Sequence, residues 1–254
     1  MNFSQFLNII AFMAIVHTAL SQDYCNVNLC KGRRHVACNN SGLFSSYCPN
    51  DRHIVRVTAD QKQTILNTHN YLRNKIASGG INGYCSASRM ATMQWSDELA
   101  YLATLNVLQC TMKHDSCRNT WQFRFAGQNL AWRGQSWAFE DVTSVMVNSM
   151  LIWFNEYSLT DQSAINNCCG WNFHDIGHFT QMVYDRATYV GCAFARYTDS
   201  YKTGLFACNY ASGNIQGYKI YKCGKAAEGC LYGSNPSYPA LCNVNEPIDP
   251  NQIY

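Results

Sequence analysis

The sequence predicts an α+β fold in which helices pack on a mostly antiparallel sheet, stitched together by disulfides. Three observations carry this prediction. Helical periodicity runs from Thr58 to Tyr184, a period of two follows Ala187, and 14 cysteines are spread along the 254-residue chain.

The helices come first. Thr58 and Gln61 form a capping-box pattern ahead of Ile65, His69, Leu72 and Ile76, and Gly79-Gly80 stops the helix. His69 lies on the apolar face and reads as a hydrogen-bonded core residue. Residues 81–95 form a loop rich in small side chains. Ser96 caps a second helix over DELAYLATLNVLQC, which turns Leu99, Leu102, Ala103, Val107 and Cys110 inward. The alternation in Trp121–Phe125 predicts a short strand. A third helix is expected from about Phe139 to Tyr157, burying Val142, Val145, Met146 and Trp153, and a short fourth over His174–Tyr184. TYVGCAFARY and LFACNY then form a hairpin around TDSYKTG, a loop longer than a tight turn. Cys192 and Cys208 fall near matching positions on its arms. GYKIYKCG either adds an edge strand or closes the domain.

Residues 1–21 contain no Lys, Arg, Asp or Glu, and their apolar core, Phe6–Val16, is too short to span a bilayer. Ala19-Leu20-Ser21 offers small residues for a signal peptidase. The segment reads as a secretory signal peptide, with the mature chain starting at Gln22. No later stretch approaches the roughly 18 apolar residues of a membrane span, so no transmembrane segment is expected. A secreted, extracellular destination suits an even cysteine count and a disulfide framework. Residues 22–57 read as a disulfide-stapled N-terminal segment, 58–222 as the main domain, and 223–254 as a disulfide-tied extension. Adjacent Cys168 and Cys169 are expected to take different partners, because a bridge between neighbours needs a strained ring. Asn39-Asn40-Ser41 is a glycosylation sequon at Asn39.

A formal charge of +3 is too mild for a nucleic-acid partner. The basic stretch Lys31–Cys38 reads as a solvated loop between disulfides. No G-x-S-x-G elbow, H-E-x-x-H helix or P-loop occurs. Oxidised cysteines leave no thiol nucleophile, and Arg133-Gly134-Gln135 is the nearest approach to an Arg-Gly-Asp triplet. Two histidines stand out. His114 is fixed between Cys110 and Cys117, and His178 opens HFTQMVYDRATYVGCAF. A rigid pair of neutral imidazoles suits a divalent metal. The competing reading is a polar network that only holds its own shape.

GHFTQMVYDRATYVGC closely resembles the first signature of the CAP superfamily, which groups cysteine-rich secretory proteins, antigen 5 and pathogenesis-related proteins. LFACNYASGN resembles its second signature. HNYLRNKIA, MQWSDELAYLA, CTMKHD and AGQNLAW fall in family order before them, so the resemblance covers roughly Thr58–Tyr221. YCNVNLCKGRRHVAC narrows it to the insect antigen 5 (venom allergen 5) branch. Tyr184 and Ala211 depart from the Trp and Pro common at their positions.

The resemblance implies a three-layer α-β-α sandwich around a cleft lined by two histidines and two acids. His114 and His178 match the histidines and Glu156 one acid; the other acid is replaced by Gln128. The implied cofactor is zinc or another divalent cation. A glutamine side chain cannot ionise, so it neither serves as a general base nor neutralises a metal. No catalytic residue is therefore expected, and the chain is not expected to be an enzyme. The implied disulfides are Cys25–Cys38, Cys30–Cys117, Cys48–Cys110 and Cys192–Cys208; Cys85, Cys168, Cys169, Cys223, Cys230 and Cys242 stay unassigned. The implied function is non-enzymatic binding of a small hydrophobic ligand, such as a sterol, fatty acid or lipid mediator, for which 13% aromatic residues suffice after building a core. The alternatives are a toxin-like modulator of a channel or host receptor in saliva or venom, and, ranked last, a metal-dependent hydrolase or protease.

Overall fold

Strand pairing organises the molecule. The computed structural model describes residues 22–170 and 173–253, so the signal peptide expected at the N-terminus lies outside the described residues. The sheet comprises β1 (His53–Val55), β2 (Gln94–Trp95), β3 (Gly127–Gln135), β4 (Tyr189–Thr198) and β5 (Lys202–Tyr210). β5 lies between β3 and β4 and pairs antiparallel with both. On the outer side of β4, β1 pairs antiparallel at one end and β2 parallel at the other. A separate two-stranded ribbon, β6 (Ser234–Asn235) and β7 (Tyr238–Cys242), lies in the C-terminal extension.

Alternation along β4 and β5 sorts their side chains between two layers. Val190, Cys192, Phe194, Phe206, Cys208 and Tyr210 join the larger core, while Ala193, Ala195, Tyr197, Leu205 and Ala207 join a second one. The helices are α1 (Ala59–Ala77), α2 (Asp97–Val107), α3 (Val142–Asn155), α4 (Gln162–Asn166) and α5 (Phe173–Val183). α1, α3 and α5 supply the larger core; α2 packs on the opposite face through Ala103 and Val107. The result is a three-layer α-β-α sandwich. Its α2 layer lies close to the sheet because Gly191 lets it: a Cβ there would sit 2.2 Å from Ala100 N and 2.4 Å from Ser96 O.

The helix starts follow the sequence signals. Thr58 Oγ1 accepts from Gln61 N at 3.2 Å, and Gln61 Oε1 accepts from Thr58 N at 3.0 Å. Ser96 Oγ accepts from Leu99 N at 3.2 Å. The third helix is shorter than expected: Asp141 caps it, and a 3-10 turn over Glu156–Leu159 replaces its final turn. Trp121–Phe125 is not a strand; only Phe125 bridges, to Ser212, because Thr120 Oγ1 accepts from Phe123 N and curls the segment into a turn. The strand lies instead at β3. The hairpin loop is only Asp199–Tyr201, since Thr198 and Lys202 already face each other. GYKIYKCG closes the domain as irregular chain, with Ile220 N donating to Ile165 O at 2.8 Å and Cys223 bridging to Ala87. At Ala211, where the family often has proline, the amide donates to Tyr189 O at 2.9 Å, a bond proline cannot make.

The structure joins Cys25–Cys38, Cys30–Cys117, Cys48–Cys110 and Cys192–Cys208. It also joins Cys85–Cys223 and Cys230–Cys242. Those pairs leave Cys168 and Cys169 to each other, which corrects the expectation of separate partners. Cys169 turns the chain there with a φ of +74°. Cys30–Cys117 and Cys48–Cys110 close loops 87 and 62 residues apart. Each restricts the unfolded chain by about 4 kcal/mol in chain-entropy accounting.

A buried polar chain crosses the larger core. His69 Nδ1–H donates to Ile65 O at 2.8 Å, and its Nε2 accepts from the Tyr210 hydroxyl at 3.0 Å. Asn129 Nδ2 donates to that hydroxyl at 3.3 Å and to His178 O at 3.1 Å. Burial pushes the His69 pKa down to about 4 from its ordinary 6.5. The native state therefore refuses a proton that the unfolded chain accepts. This contribution to stability is complete above about pH 6.5 and is lost as pH falls toward 4, amounting to roughly 3 kcal/mol. Urea denaturation across that window is expected to show a shallower slope in His69→Gln than in the parent, since His114 and His35 also contribute to it. Equal slopes in the two proteins would contradict it.

Candidate functional site

The start of the edge strand β3 builds the site. Alternation along β3 sends Gln128 toward the α2 layer and Asn129 toward the α1/α3/α5 layer. Each layer then contributes one histidine, His114 from the disulfide-bounded loop after α2 and His178 from α5.

Gln128 is 8% exposed and every polar atom of its amide is used. Its Nε2 donates to Asp115 Oδ2 at 2.8 Å and to Asn209 Oδ1 at 3.0 Å. Asn209 Nδ2 donates to Leu99 O at 3.2 Å, so its own oxygen must face Gln128. Asp115 is held in turn by Asn106 Nδ2 and Gln109 Nε2 on Oδ1, at 2.8 and 3.2 Å. Both acceptors fix the amide with its NH₂ inward and its Oε1 toward His114. Oε1 accepts from Asp115 N at 3.3 Å and lies 2.9 Å from His114 Nδ1. Because Oε1 has no proton to give, His114 Nδ1 must be the donor. The neutral ring then carries its lone pair on Nε2. Burial, opposed by the Gln128 hydrogen bond and assisted by the charges of Arg118 and His178, keeps the His114 pKa below 6.5. At neutral pH the ring is uncharged.

His178 is oriented in a parallel way. Its Nδ1 lies 2.6 Å from Glu156 Oε1, while Glu156 Oε2 accepts from Phe179 N at 3.0 Å. Glu156 stands where α3 ends and the 3-10 turn begins. Both of its oxygens are engaged, and it sits behind the histidine instead of lining the cleft. Trp153 stacks on the His178 ring at 5.8 Å and on Phe206 at 5.5 Å, and its Nε1 donates to Leu130 O at 3.1 Å.

His114, Gln128 and His178 line one cavity of about 820 Å³. Nε2 of each ring is the nitrogen left for a ligand. Two imidazoles whose Nδ1 atoms are held by fixed oxygens are the donor set that metal-binding histidines require, and zinc or another divalent cation would fit it. No cluster of three or more His, Cys, Asp or Glu side chains suited to a metal occurs among the described residues. A cation held there would take two ligands from the protein, His114 and His178, and its further positions from water or a bound molecule.

Sequence reasoning placed His114, Gln128, His178 and Glu156, which the fold brings together as two histidine–acceptor pairs. It missed Asp115 and Asn209, which aim Gln128. Asp115 directly follows His114 in KHDSC, and an acid beside a candidate ligand was the available signal. Asn39 is exposed, with a φ of +53°.

A family model described as "Cysteine-rich secretory protein family" (CAP) matches residues 66–210. Venom allergen-1 of Aedes albopictus is 39% identical over 232 residues, covering 89% of each chain. Antigen 5 like allergen Cul n 1 of Culicoides nubeculosus is 38% identical over 206 residues, 76% of this chain and 91% of that one. Among solved structures, NaASP2 with Zn2+ superposes with a TM-score of 0.62 at 25% identity, over 77% of this chain and all of the other.

Gln128→Leu keeps the side-chain volume but strands His114 Nδ1–H, Asp115 Oδ2 and Asn209 Oδ1. It is expected to cost about 2–4 kcal/mol of stability in urea denaturation. A loss below about 1 kcal/mol, as for a mere packing residue, would contradict the bonding scheme.

Proposed function

The chain belongs to the cysteine-rich secretory protein (CAP) family, and on that footing we propose a secreted, extracellular, non-enzymatic binding protein whose cleft takes a divalent cation through His114 and His178. One observation carries the reading: fixed acceptors hold the Nδ1 protons of both rings, leaving the two Nε2 lone pairs for a metal. The similar solved structure of NaASP2 with Zn2+ supports zinc as the cation. Export is supported by the seven disulfides, the segment before Gln22 and the venom-allergen relatives; no described helix is long and apolar enough to cross a membrane.

A hydrolytic role is disfavoured by the same geometry. Zinc hydrolases use a nearby acid–base group on the metal-bound water. Among the described residues no carboxylate lines the cleft, the family's second acid is Gln128, and both oxygens of Glu156 are committed to His178 and Phe179. A bound cation here anchors a ligand. Phe125, Ile215, Tyr218 and Ile253 give part of the wall apolar character, which supports a small hydrophobic ligand beside the cation.

Isothermal titration calorimetry is expected to show one Zn2+ per chain, lost in His114→Ala and in His178→Ala. Glu156→Gln should weaken binding about 10–100-fold, because it replaces the carboxylate that orients His178 through Nδ1. Zinc affinity unchanged by both alanine substitutions would overturn the assignment.

A further inference from the structure

The mouth of the cleft gathers basic side chains. Lys31, Arg33 and Arg124 all line the cavity of about 820 Å³, with Arg118 deeper in the same wall. Among the described residues no aspartate or glutamate lines it. Four basic side chains pair with carboxylates: Lys62 with Asp97, Arg89 with Glu246, Arg133 with Glu140 and, in the cavity wall itself, Arg118 with Asp115. Among the described residues no ion pair involves Lys31, Arg33 or Arg124. The whole chain does not force this, since its 19 Lys and Arg are nearly balanced by 16 Asp and Glu.

These cations are held in place by separate parts of the chain. Cys30–Cys117 staples the basic loop against the segment that follows His114, with Cα atoms 5.9 Å apart. Asn119 Nδ2 donates to Leu29 O at 3.1 Å, and Val36 N donates to Cys117 O at 2.9 Å. Between them Gly32, at a φ of +79°, makes the turn between Lys31 and Arg33, and its amide donates to Val27 O at 3.0 Å. Arg124 comes from the segment before β3, where its amide donates to Asn251 Oδ1 at 2.7 Å and so ties it to the C-terminal extension. Arg118 is different in kind: Ala126 O and Asp115 O take its terminal donors and the Asp115 carboxylate faces its charge, so it presents no free fork.

A concave surface lined by one sign of charge concentrates its potential. Guanidinium groups match the oxygens of phosphate in pairs. A single carboxylate would leave most of this charge unmet, and the cavity is far larger than one inorganic ion, in the range that encloses an organic ligand. We propose that the cleft binds a small molecule carrying two or more phosphate charges, clamped at its mouth by Lys31, Arg33 and Arg124. The phosphates belong to a soluble compound or to a lipid headgroup; the recognition chemistry is the same. This assignment does not rest on the metal reading of the histidine pair.

The test uses the full chain with chelator present, so that a failure of the metal reading cannot imitate a failure here. Inorganic pyrophosphate is titrated by calorimetry, and phosphatidylcholine vesicles with and without phosphatidic acid are tested by co-sedimentation. Binding is expected to weaken as salt rises, and to drop about tenfold or more in Arg33→Glu and in Arg124→Glu. Both sites are exposed, so the variants should keep the parent's melting temperature. Arg34→Glu makes the same charge change at a residue that lines the neighbouring cavity instead, and it should leave the affinity within about twofold. Pyrophosphate binding with this pattern supports a soluble ligand, and vesicle binding with the same pattern supports a headgroup. Binding of neither probe overturns the proposal. So does an equal loss in Arg34→Glu, which would mean attraction to a basic surface in general.

Discussion

The orientation of one amide governs the site. Asp115 and Asn209 both present acceptors to Gln128, so its NH₂ must point to them and its oxygen to His114. That oxygen sets the His114 tautomer, and the tautomer decides whether the cleft offers a metal a lone pair or a proton. A glutamate in this position would orient the ring by charge. Glutamine does it by the geometry of its neighbours, at the cost of any acid–base capacity. An amide here orients the ring without carrying a charge of its own.

The rest of the fold makes that orientation possible. Gln128 pairs with Asn209 across the β3–β5 ladder, so a shift of one residue would send both side chains to the other layer. Cys192 and Cys208 face each other across β4 and β5 and pin the adjoining ladder. Gly191 admits α2 close enough for Leu99 O to hold Asn209, and Cys48–Cys110 and Cys30–Cys117 bracket the loop that carries His114 and Asp115. From the opposite layer, the chain from His69 through Tyr210 and Asn129 ends on the backbone of His178. The two histidines thus approach the sheet edge from opposite sides, each held by a network made mostly of neutral groups.

Much of this was legible in the sequence. Local signals fixed the capped helices, and the period-two stretches fixed the hairpin, because capping and alternation are short-range effects. The family-like motifs supplied His114, His178, Glu156 and Gln128. What stayed hidden depends on distant partners. Gly127–Gln135 mixes polar and apolar side chains because both faces meet buried polar networks at its start, through Gln128 on one side and Asn129 on the other, so its strand shows no clean alternation. Trp121–Phe125 alternates and yet curls, because a local hydroxyl outcompetes the ladder. Cys168 and Cys169 could be paired only after Cys85, Cys223, Cys230 and Cys242 had found one another in space. The basic stretch after Cys30 looked like solvated loop, and only the Cys30–Cys117 staple brings Lys31 and Arg33 to the cleft.

The cleft therefore combines two imidazoles with positively charged side chains along its lining, and among the described residues it has no lining carboxylate to serve as base. That combination suits holding a ligand better than transforming one. It rests on the state of the His114 ring, which a long-range ¹H–¹⁵N correlation spectrum of uniformly ¹⁵N-labelled, metal-free protein at neutral pH reads directly. A neutral His114 with its proton on Nδ1 and an unprotonated Nε2 is the predicted result. A ring protonated on Nε2, or on both nitrogens, would contradict the account.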